Sequence, residues 1–118
     1  DDGTANNRYT VRRATNRDLV VEVINGGSTV ASWNLSTIAD STVFHLGLTF
    51  ATNSSNVALN GVAATRDTSI ALPSVTTERW GHDQSTAKHW YGHLLKAPND
   101  PNFWGDPVND TALALLAA

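Results

Sequence analysis

The chain has no cysteine. Disulfides and thiolate metal sites are therefore excluded, while the compartment stays open, because secreted and intracellular proteins alike can lack bridges. Charge is scarce as well, at 16% of residues. Lysine occurs only at Lys88 and Lys96, and glutamate only at Glu22 and Glu78. The formal net charge is −3 and no basic run stands out, which argues against a nucleic-acid backbone as partner. No apolar run approaches the ~20 residues a membrane-spanning helix needs, so membrane insertion is not expected. No signal peptide, internal repeat or low-complexity tract is visible.

What is present is Thr, Ser, Asn and Val in quantity, the balance of an antiparallel β protein. At 118 residues the chain makes one domain, 1–118, long enough to bury a core without staples. Period-two alternation marks strands at Asn7 to Ala14 and Asp18 to Ile24. The second sends Leu19, Val21 and Val23 to one face. Asn25 to Ser28, "NGGS", reads as a hairpin turn into Thr29 to Leu35. Val43 to Ala51 alternates cleanly, with Phe44, Leu46, Leu48 and Phe50 expected on one face. Asn60-Gly61 between alternating residues is a strong hairpin signal. Further short strands are expected at Thr76 to Gly81 and Lys88 to Ala97. A short helix is expected after Asn109 or Asp110, with Leu113 and Leu116 on one side. The pattern is all-β, an antiparallel β-sandwich or jelly roll with one short C-terminal helix.

Catalytic chemistry finds little support. Glycosidases need two carboxyl groups facing across a cleft, and no Glu-x-Asp-x-x-Glu run occurs; Glu22 and Glu78 each stand alone. No Gly-x-Ser-x-Gly elbow is present. His45 lies among apolar neighbours and reads as a packed or edge residue. His89 and His93 stand four apart, which on a strand separates them by roughly 13 Å, too far to chelate one metal as a simple pair. Calcium is the one cofactor the sequence leaves open, through Asp83, Asn99, Asp100, Asn102 and Asp106, although no EF-hand spacing occurs and Asn and Asp also simply start turns. The expectation is no enzyme, with catalytic residues none and no resident cofactor beyond that ion.

Aromatic placement is more informative. Trp80, Trp90, Tyr91, Phe103 and Trp104 all lie in the last third of the chain. Phe103 and Trp104 stand in an irregular loop, "APNDPNFWGDPV", among Asn, Asp, Gly and Pro. An aromatic side chain there can stack on the apolar face of a sugar while Asn and Asp take its hydroxyls. The candidate glycan site is therefore Trp104, Phe103, Asn102, Asp100 and Asn99, with His82 and Asp83 from the loop at 82–88. The competing reading is that one of the aromatics pins its loop over the end of the sandwich.

Several short motifs together carry a family resemblance: Phe44 to Phe50, Leu59-Asn60-Gly61, Leu72-Pro73, Trp80-Gly81, Tyr91-Gly92-His93-Leu94, and the stretch from Asn109 to Leu116. In that order they resemble the laminin-G-like, concanavalin A-like lectin/glucanase jelly roll, in the versions carried by bacteriophage and phage-related structural proteins. The resemblance covers residues 40–117 well and 1–35 loosely, and its motifs are turn glycines and core positions. It implies a fold and no catalytic residues. It also implies that the first strands of the domain are missing, so that the chain, opening on Asp1, is expected to be the C-terminal part of a longer one or to be completed by another chain. The function it implies is carbohydrate binding by a virion fibre or spike, directed at a bacterial surface polysaccharide. Weak sites would be compensated by display in several copies, a homotrimer suiting a fibre. The alternative is a decoration or assembly module that docks on other virion chains and binds no sugar. Either places the chain on a virion surface, or otherwise outside the cell.

Overall fold

The computed structural model describes residues 1–77, 79, 82, 85, 110 and 111. Six strands lie among them: β1 (Arg8–Arg13), β2 (Asp18–Asn25), β3 (Ser28–Thr37), β4 (Leu46–Thr49), β5 (Asn56–Leu59) and β6 (Val62–Ala63). They form two antiparallel three-stranded sheets, ordered β1-β2-β3 and β4-β5-β6, which pack into a β-sandwich. Asp110 and Thr111 have helical backbone; the rest of the expected C-terminal helix lies outside the described residues.

The turns follow from their residues. Gly26 and Gly27 have φ of 59° and 80°, and Asn60 and Gly61 have 47° and 80°. Positive φ at both central positions gives the two-residue turn whose twist matches a hairpin, and Asn and Gly enter that region at least cost. Asn25 then pairs with Ser28, and Leu59 with Val62.

The alternation of β2 places Leu19, Val21 and Val23 inward, all fully buried. Val21 and Val23 face Trp33 and Ala31 of β3 across the sheet. They meet Val57 of the second sheet and Ile70 of the following segment, with Tyr9, Val30, Leu35, Phe50, Ala64 and Leu72 at the margins. Tyr9 and Phe50 lie 4.7 Å apart between ring centroids, tilted by 39°, close enough for a favourable aromatic contact. The Trp33 indole N–H donates to the Thr65 carbonyl at 2.9 Å, which satisfies the polar atom of the largest inward side chain. A second cluster, Leu19, Ile38 and Leu59 with Leu35, Phe44 and Leu46 beside it, closes the other end. Each fully buried aliphatic side chain contributes about 1.5–3 kcal/mol.

β3 is longer than its partner needs. Val30 has no opposite residue between the Val23–Ala31 and Ile24–Thr29 pairs, and the register shifts again between Asp18 and Val20. Such bulges bend a strand and strengthen its twist. They let the first sheet curl over the second.

Two expectations need correction. The strand at 43–51 shortens to Leu46–Thr49, and Leu48 is 40% exposed although Phe44, Leu46 and Phe50 pack inward. β4 ends its sheet, so Leu48 sits at the sandwich margin while Val57, directly opposite, is covered. Thr76 and Thr77 open no strand: their N–H groups both donate to the Asp1 carbonyl at 2.9 Å, which satisfies them without a ladder. The remainder of the expected strand at Thr76 to Gly81, apart from Arg79, and the whole of Lys88 to Ala97 lie outside the described residues.

Trp33→Ala is expected to destabilise the domain by about 3–5 kcal/mol, as a large core truncation does. Val62→Ala, at a side chain 71% exposed, is expected to change stability by no more than about 0.5 kcal/mol. Urea unfolding of the two variants checks the contrast.

Candidate functional site

Of the sequence-derived site residues, His82 alone lies among the described residues, half-buried at a bend. Asp83, Asn99, Asp100, Asn102, Phe103 and Trp104 lie outside them, as does Asp106. The described residues form the polar surface of the sandwich and its connections.

The outer face of the first sheet is set by register. Thr10, Glu22 and Ser32 form one row across β1, β2 and β3; Arg12, Val20 and Asn34 form the next; Arg8, Ile24 and Thr29 form a third. Arg12 reaches diagonally to Glu22 through two bonds, Nε to Oε2 at 3.1 Å and Nη2 to Oε1 at 3.0 Å. The pair raises the affinity of Arg12 for its proton, chiefly through the bond to Glu22. With the side chains 39% and 21% exposed, the ion pair is worth no more than about 1 kcal/mol after screening. Val20 and Ile24 are nonetheless buried on this face. The result is a hydrogen-bonding surface with no aromatic side chain in its rows.

Each carboxylate among the described residues has a bonding partner. Asp1 meets Arg79 at 3.0 Å. Asp2 accepts from the Thr4 hydroxyl at 2.7 Å and the Asn7 amide at 2.7 Å, which pulls its pKa down to about 2. Asp18 accepts from Thr37 at 2.6 Å and from Asn16 at 2.6 Å, and the Thr37 bond leads in lowering its pKa. Asp40 bridges Arg13 at 2.8 Å and Arg17 at 3.5 Å, and the Arg13 bond leads in lowering its pKa. Asp67 takes the backbone N–H and hydroxyl of Ser69 at 2.8 and 3.0 Å. None of these contacts sets two carboxylates against each other. No group of three or more His, Cys, Asp or Glu side chains suited to a metal occurs among the described residues.

The remaining carboxylate, Asp110, ties distant parts together. Its Oδ1 accepts from Asn56 Nδ2 at 2.7 Å and from Arg66 Nε and Nη2 at 3.0 and 2.6 Å. Arg66 Nη1 donates in turn to the carbonyl and hydroxyl of Ser54 at 3.2 and 2.8 Å. Asn56 is fully buried on the side of β5 opposite Val57, so its amide needs such a partner. The bonds from Asn56, then Arg66, hold the Asp110 carboxyl below its ordinary pKa. Nothing local in the sequence marks this network. The Arg12–Glu22 pair has a local signal, opposite charges on two consecutive expected strands, which favours their pairing across a sheet.

His45 is exposed just before β4, where its backbone carbonyl and N–H bond to Asn60; this supports the edge reading of that residue.

No protein-family model matches the chain, and no curated protein is similar in sequence. Among solved structures, an S-layer domain-containing protein from Clostridium thermocellum ATCC 27405, residues 221–444, is similar at 14% identity and a TM-score of 0.47. The alignment covers 100% of this chain and 59% of that one, so the chain spans under two thirds of its length.

Asp110 predicts a pH dependence. A carboxylate whose folded pKa is depressed stabilises the fold above its unfolded pKa of 3.8 and loses that contribution as pH falls through the folded value. Asp110→Asn is therefore expected to be less stable than the parent at neutral pH, by less than about 1 kcal/mol because the site is screened. The gap should close in acid below the folded pKa. Urea unfolding of both proteins across the acid range checks the sign.

Proposed function

We propose that the chain is a non-catalytic carbohydrate-binding module, carried on the fibre or spike of a phage or gene-transfer-type particle and directed at a bacterial surface polysaccharide. One observation carries the reading: the chemistry-bearing side chains of the described sandwich are committed to structure. Its carboxylates are held by cations, amides, hydroxyls or backbone N–H groups. Its aromatic side chains Tyr9, Trp33, Phe44 and Phe50 pack in or against the core. The sandwich is then a scaffold, and recognition falls to the loops, where Trp104 and Phe103 would stack on a pyranose and Asn99, Asp100, Asn102, His82 and Asp83 would take its hydroxyls. A calcium ion bound by the same oxygen-rich loop would order it. Weak single sites would act through several copies, a trimer being the arrangement a fibre offers.

A second reading is favoured by the sheet ends. β1, β3, β4 and β6 each carry one edge with no partner strand among the described residues, and such an edge accepts a strand from a neighbouring chain. In that reading the module joins virion proteins and binds no sugar.

A glycan array together with host-polysaccharide binding, for the parent and Trp104→Ala, with and without chelator, separates these. Binding by the parent, weakened about tenfold or more in Trp104→Ala with an unchanged circular dichroism spectrum, supports the glycan reader. Loss in chelator adds the calcium ion. Binding untouched by the substitution refutes the loop site, and no binding by the folded parent favours the assembly module.

A further inference from the structure

The chain contains two Asn-Gly steps, Asn25-Gly26 and Asn60-Gly61, and both stand at two-residue hairpin turns. An Asn-Gly step is where a backbone can modify itself. The glycine nitrogen, losing its proton to water or hydroxide, adds to the asparagine Cγ. The new C–N bond forms as the side-chain amide leaves as ammonia, giving a five-membered succinimide. Water then opens the ring at either carbonyl, yielding aspartate or the isoaspartyl linkage, in which the main chain runs through the β-carboxyl. Glycine permits this because no side chain shields its nitrogen.

The two sites differ in what holds the reacting atoms. At Asn25 both are engaged. Gly26 N–H, the incoming nucleophile, donates to Asn7 Oδ1 at 2.9 Å. Asn25 Nδ2, the leaving nitrogen, donates to the Ala71 carbonyl at 3.1 Å. The segment before β1 also lies across this turn, with Gly27 N–H donating to the Asn6 carbonyl at 2.9 Å, and Asn25 ends an eight-residue strand whose neighbours on the far side of the core are fully buried. Cyclisation there needs three bonds released and the central strand loosened.

At Asn60 the arrangement is reversed. The residue is exposed. Its side-chain oxygen accepts the His45 N–H at 2.8 Å, a donor placed on the carbonyl that would gain negative charge during attack. Among the described residues no hydrogen bond engages Gly61 N–H or Asn60 Nδ2. The hairpin itself is weak on one side: β6 has two residues, Val62 and Ala63, and ends its sheet. A short terminal strand with an exposed side chain opens locally at small cost, and opening frees the turn from φ of 47° and 80° to reach the attack geometry.

We infer that Asn60-Gly61 is a self-modification site of the folded protein and that Asn25-Gly26 is protected. The aspartyl product keeps an oxygen for the His45 N–H and adds one negative charge at the tip of β5-β6. The isoaspartyl product lengthens the main chain by a methylene at a turn of two residues, which breaks the Leu59–Val62 and Ala58–Ala63 pairs and detaches β6.

Incubation of the folded protein at mildly alkaline pH, followed by peptide mapping with mass spectrometry and an isoaspartyl methyltransferase assay, tests this. A parallel sample in concentrated urea supplies the reference in which both steps are free. The expected result is comparable conversion of both sites in urea, and in the folded protein conversion at Asn60 faster than at Asn25 by about tenfold or more. Equal rates at the two sites in the folded protein, or Asn60 as inert as Asn25 while both react in urea, would overturn the inference.

Discussion

The structure depends on the inward row of β2. Leu19, Val21 and Val23 are fully buried, flanked by β1 and β3 in their own sheet and, at Val21 and Val23, pressed against Val57 and Ile70 from outside it. A strand in this position must satisfy every backbone group through its neighbours, and β2 does so with both. The bulges in β3 follow from the same requirement, since a flat sheet could not keep Trp33 and Ala31 beside Val21 and Val23 while curling toward Val57. The turn at Gly26-Gly27 sets the register, and the turn at Asn60-Gly61 brings Val62 beside Leu59.

Polar groups are used in support of this core. Asn56 is fully buried on β5 and is tolerated because Asp110 accepts its amide, while Arg66 neutralises Asp110 and bonds Ser54. A single carboxylate thus joins β5, the segment following β6 and the start of the C-terminal helical backbone. Trp33 shows the same economy, with its ring in the core and its N–H on the Thr65 carbonyl. On the outer face, Arg12 and Glu22 bond each other across β1 and β2. Among the described residues the acids and aromatics are engaged in this way, and the proposal of a glycan site around Trp104 draws on the general placement of recognition chemistry in loops.

Much of the sheet architecture was legible in the sequence because its signals are local. The alternation at Tyr9 and Val11, the Leu19-Val21-Val23 row and the two glycine-containing turns each lie within a few residues, and the strands fall within two or three residues of their expected bounds. Leu48 was not legible. Its alternation is identical to that of Leu46, and what differs is its place at the margin of an end strand, a property of topology. The Asn56–Arg66–Asp110 network was invisible for a related reason: its partners are 54 and 44 positions apart. Of the candidate site, His82 alone lies among the described residues; the others were marked in the sequence by residue type alone.

The proposed division of labour makes the sandwich the scaffold and the segment around Trp104 the reader. An NMR titration of isotopically labelled protein with a host surface polysaccharide tests it most directly, because it reports every backbone amide at once. The signals expected to shift belong to residues 98–107 and to His82 and Asp83, while those of Thr10, Arg12, Glu22, Ser32 and Asn34 stay in place. Shifts centred on that outer face, with residues 98–107 undisturbed, would argue against it.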